Sequence, residues 1–338
     1  VLTWRLLSAG RGSGLFVALT TMATANAMYD RLNLAYHRFF MLSARPSLAL
    51  AHGRARLNER FVAALASDDS LPRPAMAESA EAYCAAWLGS ESRRALLAQI
   101  GIGTIDQALM AILPVRFATL RQAGLLGKIL LIDEVHCFDP YMKEALATLL
   151  RFHAAMGGSA ILLSATLTRQ ARQNLVDAFR RGAGVEAPIP LLKDDCPLVT
   201  CVSRDDGGEV ASEPRPGLAR RIAVRRLAEV PAAEAGIARS AVTGAAVAWI
   251  RNTVDDVIAS AQALCGQGIE VTVFHARFAM ADRLAIERDV LARFGKDGAP
   301  EGRRGVLLAS SVIEQSLDLD FDVLCTDLAP MDLLIPVS

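Results

Sequence analysis

Lys128-Ile129-Leu130-Leu131-Ile132-Asp133-Glu134-Val135-His136-Cys137-Phe138-Asp139 is the stretch that decides the fold. A short apolar run halting in two adjacent acids reads as a buried strand that carries Asp133 and Glu134 to its carboxyl end. Open α/β sheets bind their ligands at that end. One carboxylate placed there can hold magnesium through its water shell, while its neighbour orients water on a γ-phosphate. A strand that simply stops in solvated acids has the same pattern.

The next apolar run is Ile161-Leu162-Leu163-Ser164-Ala165-Thr166-Leu167. It brings the hydroxyls of Ser164 and Thr166 beside the acids if the two strands are neighbours. Small hydroxyl residues capping a helix are the plain alternative. The two patterns in successive strand–helix units are far more specific than either one.

Further outward, the expected strands are Gly14–Leu19, Ile129–Ile132 and Ala160–Leu163, then Ala245–Ile250, Val271–Phe274, Gly305–Leu308 and Val323–Thr326. Each precedes a turn and a helical pattern, which is the signature of parallel α/β layers. The expected organisation is a first lobe over 1–190, a linker and lobe boundary over 191–240, and a second lobe over 241–338. A helical insertion is expected at about 43–91. Pro197–Val202 and Arg221–Leu227 are a possible strand pair inside the boundary.

Of the 338 residues, 52% are hydrophobic and 21% charged, which fits a well-buried globular chain. No apolar run reaches the roughly 18–20 residues of a membrane span, so no membrane association is expected. Six scattered cysteines without a CxxC pair point to reduced thiols in the cytoplasm. Cys196 and Cys201 are close in sequence but lack the second ligand pair that structural zinc wants. Lysine plus arginine number 36 and aspartate plus glutamate 36. Nucleic acid would therefore be held in a local groove rather than by bulk attraction.

Asp133-Glu134-Val135-His136 resembles motif II, and Ser164-Ala165-Thr166 motif III, of superfamily 2 DExH helicases. Four longer blocks resemble the helicase-nuclease family of type I CRISPR interference. They are Val17–Leu32 (VALTTMATANAMYDRL), Gly103–Arg116, Phe274–Arg283 and Ser310–Ile335, the last containing EQSLDLDFD. The resemblance spans essentially the whole chain. It implies two RecA-like parallel-sheet lobes that form an ATP-dependent DNA motor in antiviral defence. Its cofactors would be ATP and Mg2+, and its partners single-stranded DNA and the RNA-guided surveillance complex of type I CRISPR systems.

The roles carried over by the resemblance are specific. Asp133 would coordinate magnesium through water, Glu134 would activate the attacking water, and His136 would relay between ATP and the other lobe. Ser164, Thr166 and Asp318 would couple to the nucleotide. Thr21, Thr104, Asn252, Thr253, Ser310 and Gln315 would touch nucleic acid. Thr253 also suits a cap for the helix opening at Val254, and Asp318 a solvated strand end. His275 and Arg277 serve equally well as ordinary surface groups.

No GxxxxGK[ST] occurs in the sequence. Gly10–Gly14 and Gly124–Lys128 are glycine-rich but feed into strands, whereas a phosphate cradle follows a strand and opens a helix. The family's arginine-finger motif and nuclease domain have no match here either. The expectation is a fragment with both lobes truncated at the chain ends, which alone turns over ATP poorly or not at all. The alternatives are a catalytically inactive DNA- or partner-binding remnant, or another superfamily 2 translocase such as a restriction or repair motor.

Overall fold

The computed structural model describes residues 2–39, 46–66, 84–214, 222–295, 303–310 and 319–328. The chain divides into two compact units, Val1–Leu218 and Ala219–Ser338.

Unit 1 opens with α1 (Leu2–Ser8), β1 (Gly14–Leu19), α2 (Met22–Phe39), β2 (Leu48–Ala51) and α3 (Glu59–Ala64). The two-residue strands β3 (Leu65–Ala66) and β4 (Cys84–Ala85) pair with each other. There follow α4 (Ala86–Gly89), α5 (Ser92–Ala95), β5 (Ile100–Thr104), α6 (Ile105–Leu109) and α7 (Ala118–Leu125). Then come β6 (Lys128–Ile132), α8 (Pro140–Ala155), β7 (Ser159–Leu162) and α9 (Arg169–Gly182). A hairpin of β8 (Leu198–Val202) and β9 (Gly207–Ala211) completes the described part.

The main sheet has the order β2-β5-β1-β6-β7 and is parallel throughout. Its register pairs Leu19 with Thr104 and Ala18 with Ile132, so the strands' carboxyl ends form one edge. Phe16, Leu50, Ile102, Leu130 and Ile132 are buried in one core with Leu146, Leu149 and Leu150 of α8. Truncating Leu146 or Leu149 to alanine would cost about 2–5 kcal/mol. Helix α8 starts where Asp139 accepts from Met142 N–H at 2.7 Å, with proline at the first helical position.

Two expectations differ from the structure. The stretch 43–91, expected to be a helical insertion, contains β2, a strand of the main sheet hydrogen-bonded along β5. Four apolar residues in an alanine-rich context were too short a run to stand out. The strand Leu198–Val202 does form, but its partner is Gly207–Ala211. Residues 222–227 hold no strand. The turn at Ser203–Asp206, where Ser203 Oγ accepts from Asp206 N–H at 3.0 Å, makes the local pairing the shorter loop to close.

Unit 2 contains α10 (Val230–Val242), β10 (Ala246–Arg251), α11 (Val254–Gly266), β11 (Val271–Phe274), α12 (Met280–Phe294), β12 (Gly305–Ser310) and β13 (Val323–Thr326). Its four-stranded parallel sheet has the order β11-β12-β10-β13. Alternate residues face opposite sides. Val247, Trp249, Val306 and Leu308 pack with Val257 and Leu264 of α11. Ala246, Ile250, Leu307 and Ala309 pack with Val290 and Phe294 of α12. Both faces are covered, and that is why these strands read as unbroken apolar runs rather than alternating ones.

Candidate functional site

The carboxyl edge of unit 1 collects the residues singled out from sequence. Asp133 follows β6 directly, its N–H donating to Ala18 O at 3.1 Å. Glu134 then turns sharply, with φ 56° and ψ 42°. A side chain in this left-handed region costs on the order of 1 kcal/mol, and such strain concentrates at functional sites. The turn lets Glu134 N–H donate to Asp133 Oδ1 at 2.9 Å and Val135 N–H to Leu163 O at 3.1 Å. The acids are thus tied to the end of β7 as well as of β6.

His136 is buried, and its Nδ1 lies 3.3 Å from Glu134 Oε2 and 3.3 Å from Ser164 Oγ. Ser164 Oγ donates to Thr166 O at 2.9 Å. A hydroxyl has one proton, so Ser164 must accept from His136. An ionised carboxylate can only accept as well, so both contacts assign the imidazole proton to Nδ1. Thr166 Oγ1 is buried and has no hydrogen-bond partner among the described residues. Burial pushes the Glu134 carboxyl upward; His136 partly offsets this and Asp133 adds to it. The Glu134 side chain remains 47% exposed, so it is open to small molecules. Glu134, His136 and Cys137 also bring ligand atoms within 4.8 Å of one another.

Thr21 lies at the amino end of α2. Its Oγ1 accepts from Thr24 N–H at 3.1 Å, and its own N–H donates to Thr24 Oγ1 at 3.3 Å. This reciprocal cap leaves the helix amino terminus at the carboxyl end of β1. Thr104 ends β5 and is buried as the residue preceding α6.

In unit 2, Asn252 and Thr253 follow β10. Asn252 N–H donates to Asp327 Oδ2 at 2.9 Å and its side-chain amide to Leu328 O at 3.1 Å. Thr253 caps α11, accepting from Asp256 N–H at 3.1 Å. Ser310 ends β12 opposite Arg251 and is buried. His275 is buried and stacks on Phe278 with centroids 4.3 Å apart, while Arg277 pairs with Asp255 at 2.6 Å. Gln315 and Asp318 lie outside the described residues.

Three features escaped sequence reading. Arg251 is buried against Asp327, with Nε 3.0 Å from Oδ2, and this pair anchors the turn carrying Asn252. The signal was a charged residue closing an apolar strand. His52, after β2, is buried with Nε2 3.1 Å from Asn26 Oδ1, and burial lowers its pKa. Lys128 donates to the carbonyls of Leu96 and Ala98. The two glycine-rich decoys meet each other, Ser13 N–H donating to Gly127 O at 2.7 Å, at the amino-terminal ends of β1 and β6. That is the edge opposite the acids.

The family model of the C-terminal part of the CRISPR-associated nuclease/helicase Cas3 matches residues 243–336. The chain is 34% identical over 348 residues to the CRISPR-associated endonuclease/helicase Cas3 of Escherichia coli K12, covering 98% of this chain and 37% of that protein. It is 35% identical to the Thermus thermophilus Cas3, covering 98% of this chain and 40% of the relative. The chain thus spans about two fifths of the length of these relatives. The T. fusca Cas3 crystal structure superposes with a TM-score of 0.81 at 32% identity, covering 99% of this chain and 39% of that one. The same protein with ATP gives 0.78 at 33% identity, covering 96% and 37%. A chain of a CRISPR RNA-guided surveillance complex in a pre-nicking state gives 0.64 at 28%, covering 99% and 41%.

Proposed function

The chain is a helicase portion of the CRISPR-associated Cas3 family, with two parallel-sheet units matching the RecA-like lobes of Cas3 helicases, and from that premise we propose that it is part of an ATP-driven DNA translocase of CRISPR antiviral defence. The observation that carries this reading is the linked set Asp133, Glu134, His136 and Ser164 at one sheet edge. Crystal structures of a similar protein with ATP, AMPPNP and ADP support nucleotide as the ligand. The likeness to a chain of an RNA-guided surveillance complex supports that complex as the partner.

The residues present fit Mg2+ and a phosphate chain. Asp133 Oδ1 is held by Glu134 N–H, which leaves Oδ2 to bind a metal-bound water. The orphaned Thr166 Oγ1 is a polar group left for a ligand to satisfy. Bound Mg-ATP would supply the electrophilic γ-phosphorus and neutralise charge on its oxygens. Glu134 Oε2 is occupied by His136 Nδ1–H, so Oε1 is the atom that accepts the proton of the attacking water. Ser164 fixes the His136 ring, and the ring fixes the carboxylate. Thr21 at the α2 amino terminus, Thr104, Asn252, Thr253, Ser310 and Gln315 are the proposed backbone contacts to single-stranded DNA, with Asp318 facing nucleotide. Contacts of this kind carry no base information, which suits a motor that must accept any sequence.

Assayed by itself, the chain is expected to turn over ATP slowly, because its residues contain no GxxxxGK[ST] loop. That observation also favours a second reading, a module that binds DNA or partner without catalysis. The deciding experiment compares single-stranded-DNA-stimulated ATP hydrolysis by the chain and by a version carrying the flanking segments of its relatives. Activity in the extended version that is lost with Glu134→Gln supports the motor. Silence in both selects the binding module.

A further inference from the structure

Two described residues other than glycine have positive φ: Glu134 and Phe117, the latter at φ 68° and ψ 19°. A bulky aromatic side chain in that region is a genuine outlier. Phe117 immediately precedes α7, where the capping residue is ordinarily extended rather than left-handed, so capping does not account for the conformation. The turn projects the ring outward: Phe117 is 37% exposed and follows the exposed residues Pro114, Val115 and Arg116.

Guanidinium groups surround the ring. Arg93 Cζ lies 3.9 Å from its centroid and Arg116 Cζ 4.7 Å. Arg121 is nine-tenths buried behind them, donates from Nη1 to Arg116 O at 3.4 Å, and leaves Nε without a partner among the described residues. Desolvation first, and then Arg93, holds the Arg121 guanidinium below its ordinary pKa, while Asp106 acts in the opposite direction. Gln107 is also buried with Oε1 unpartnered. Of the arginines here, Arg93 and Arg94 pair with Glu91 and Arg121 is acted on by Asp106, while Arg116 lies over the ring. The local excess is positive on a chain whose overall charge is zero. Asp106 lies in the first turn of α6, two residues after Thr104.

We propose that Phe117, with Arg93, Arg116 and Arg121, is a stacking site for one unpaired base of a nucleic-acid single strand. The guanidinium planes now beside the ring occupy the position of a base. On binding, a base replaces one of them and the released arginine turns to the flanking phosphate. Stacking accepts every base, so the site adds grip without sequence preference. The proposal rests on the reading of this chain as a strand-binding motor and adds to it a residue that holds the strand by a base.

The test is binding of a labelled oligothymidylate to the whole chain, with 2-aminopurine placed at successive positions to report stacking. Phe117→Gly is the informative variant, because glycine accepts φ 68° without strain. It should weaken binding about 5- to 150-fold, the range of one lost base stack, and abolish 2-aminopurine quenching at one position. Its melting temperature should be equal to or above that of the parent. Phe117→Tyr should bind like the parent. Parental affinity and quenching in Phe117→Gly overturn the stacking site. If Thr104→Val weakens binding in the same series, the wider reading stands without it. A parent chain that does not bind oligothymidylate overturns both.

Discussion

Glu134 holds a strained backbone turn, a half-exposed carboxyl and a buried imidazole partner, and each bears on how it would work as a base. Burial raises its pKa, so the proton that must be absent for general-base action is held at higher pH than on an ordinary glutamate. A base is lost when it is protonated, so turnover should fall as pH drops through that raised value. The acid limb of kcat/KM, which reports the free enzyme, should therefore lie above the ordinary 4.5. His136→Gln removes the group that lowers this pKa and should move the limb higher still. In the version carrying the flanking segments, Glu134→Gln should cut turnover by about 10²- to 10⁴-fold and leave nucleotide binding intact. A Glu134→Gln protein with parental kcat would remove Glu134 from the chemistry. At this scale the sequence was informative where chemistry requires a residue type: Asp-Glu at a strand end, then Ser and Thr at the next. It could not reveal the Nδ1–H tautomer of His136, which follows only from the 3.3 Å contacts. The Arg251–Asp327 pair was hidden as well, because its members are 76 residues apart.

Secondary-structure elements were legible in proportion to their apolar contrast. The runs GLFVAL, KILLI and AVAWIR stand out because both faces of a parallel strand are buried. Strand β5, IGIGT, does not stand out, since glycine in a strand interior weakens the pattern. The structure supplies the reason for glycine there: a Cβ on Gly103 would lie 2.3 Å from the carbonyl oxygen of Ala51 on neighbouring β2. Gly103→Ala should force β2 and β5 apart at a cost of about 1–3 kcal/mol. A melting temperature unchanged by this substitution would contradict the close approach. Lys128 makes a second prediction about the sheet. Burial lowers its pKa from 10.5 to about 7. Between those values the unfolded chain carries a proton that the folded chain lacks, so stability should rise with pH across the window. Cys84, pushed by burial from 9.0 to about 12, acts the other way above pH 9. Unit 1 should therefore gain several degrees of melting temperature from pH 7 to 9, by roughly 2–4 °C per kcal/mol for a unit of this size. Lys128→Met should abolish the gain. Its stability should be lower throughout, because the carbonyls of Leu96 and Ala98 lose their donor. A melting temperature that stays flat in the parent would mean that Lys128 keeps its charge.

For the whole molecule, the balance of 36 basic and 36 acidic residues would constrain how DNA, the proposed ligand, is held. A polycationic surface binds by releasing many counterions, and its affinity collapses with salt. On the proposed reading the described residues offer instead helix amino termini, hydroxyls at strand ends and the arginine–aromatic patch around Phe117, all short-ranged. Each phosphate neutralised on a single strand contributes about −0.7 to the slope of log K against log salt. Three to five such contacts would give a slope of roughly −2 to −3.5. Arg116→Ala should make the slope shallower by about 0.7, whereas Phe117→Gly should lower affinity with the slope unchanged, because a stacked base releases no ions. Measuring binding of an oligothymidylate across a salt series separates the two contributions in a single experiment. A slope steeper than about −6 would mean that diffuse attraction dominates, and the local groove would lose its place as the source of affinity. A slope near zero would mean that phosphates are not contacted at all. In that case the neutral charge of the chain would reflect a surface that meets protein rather than DNA.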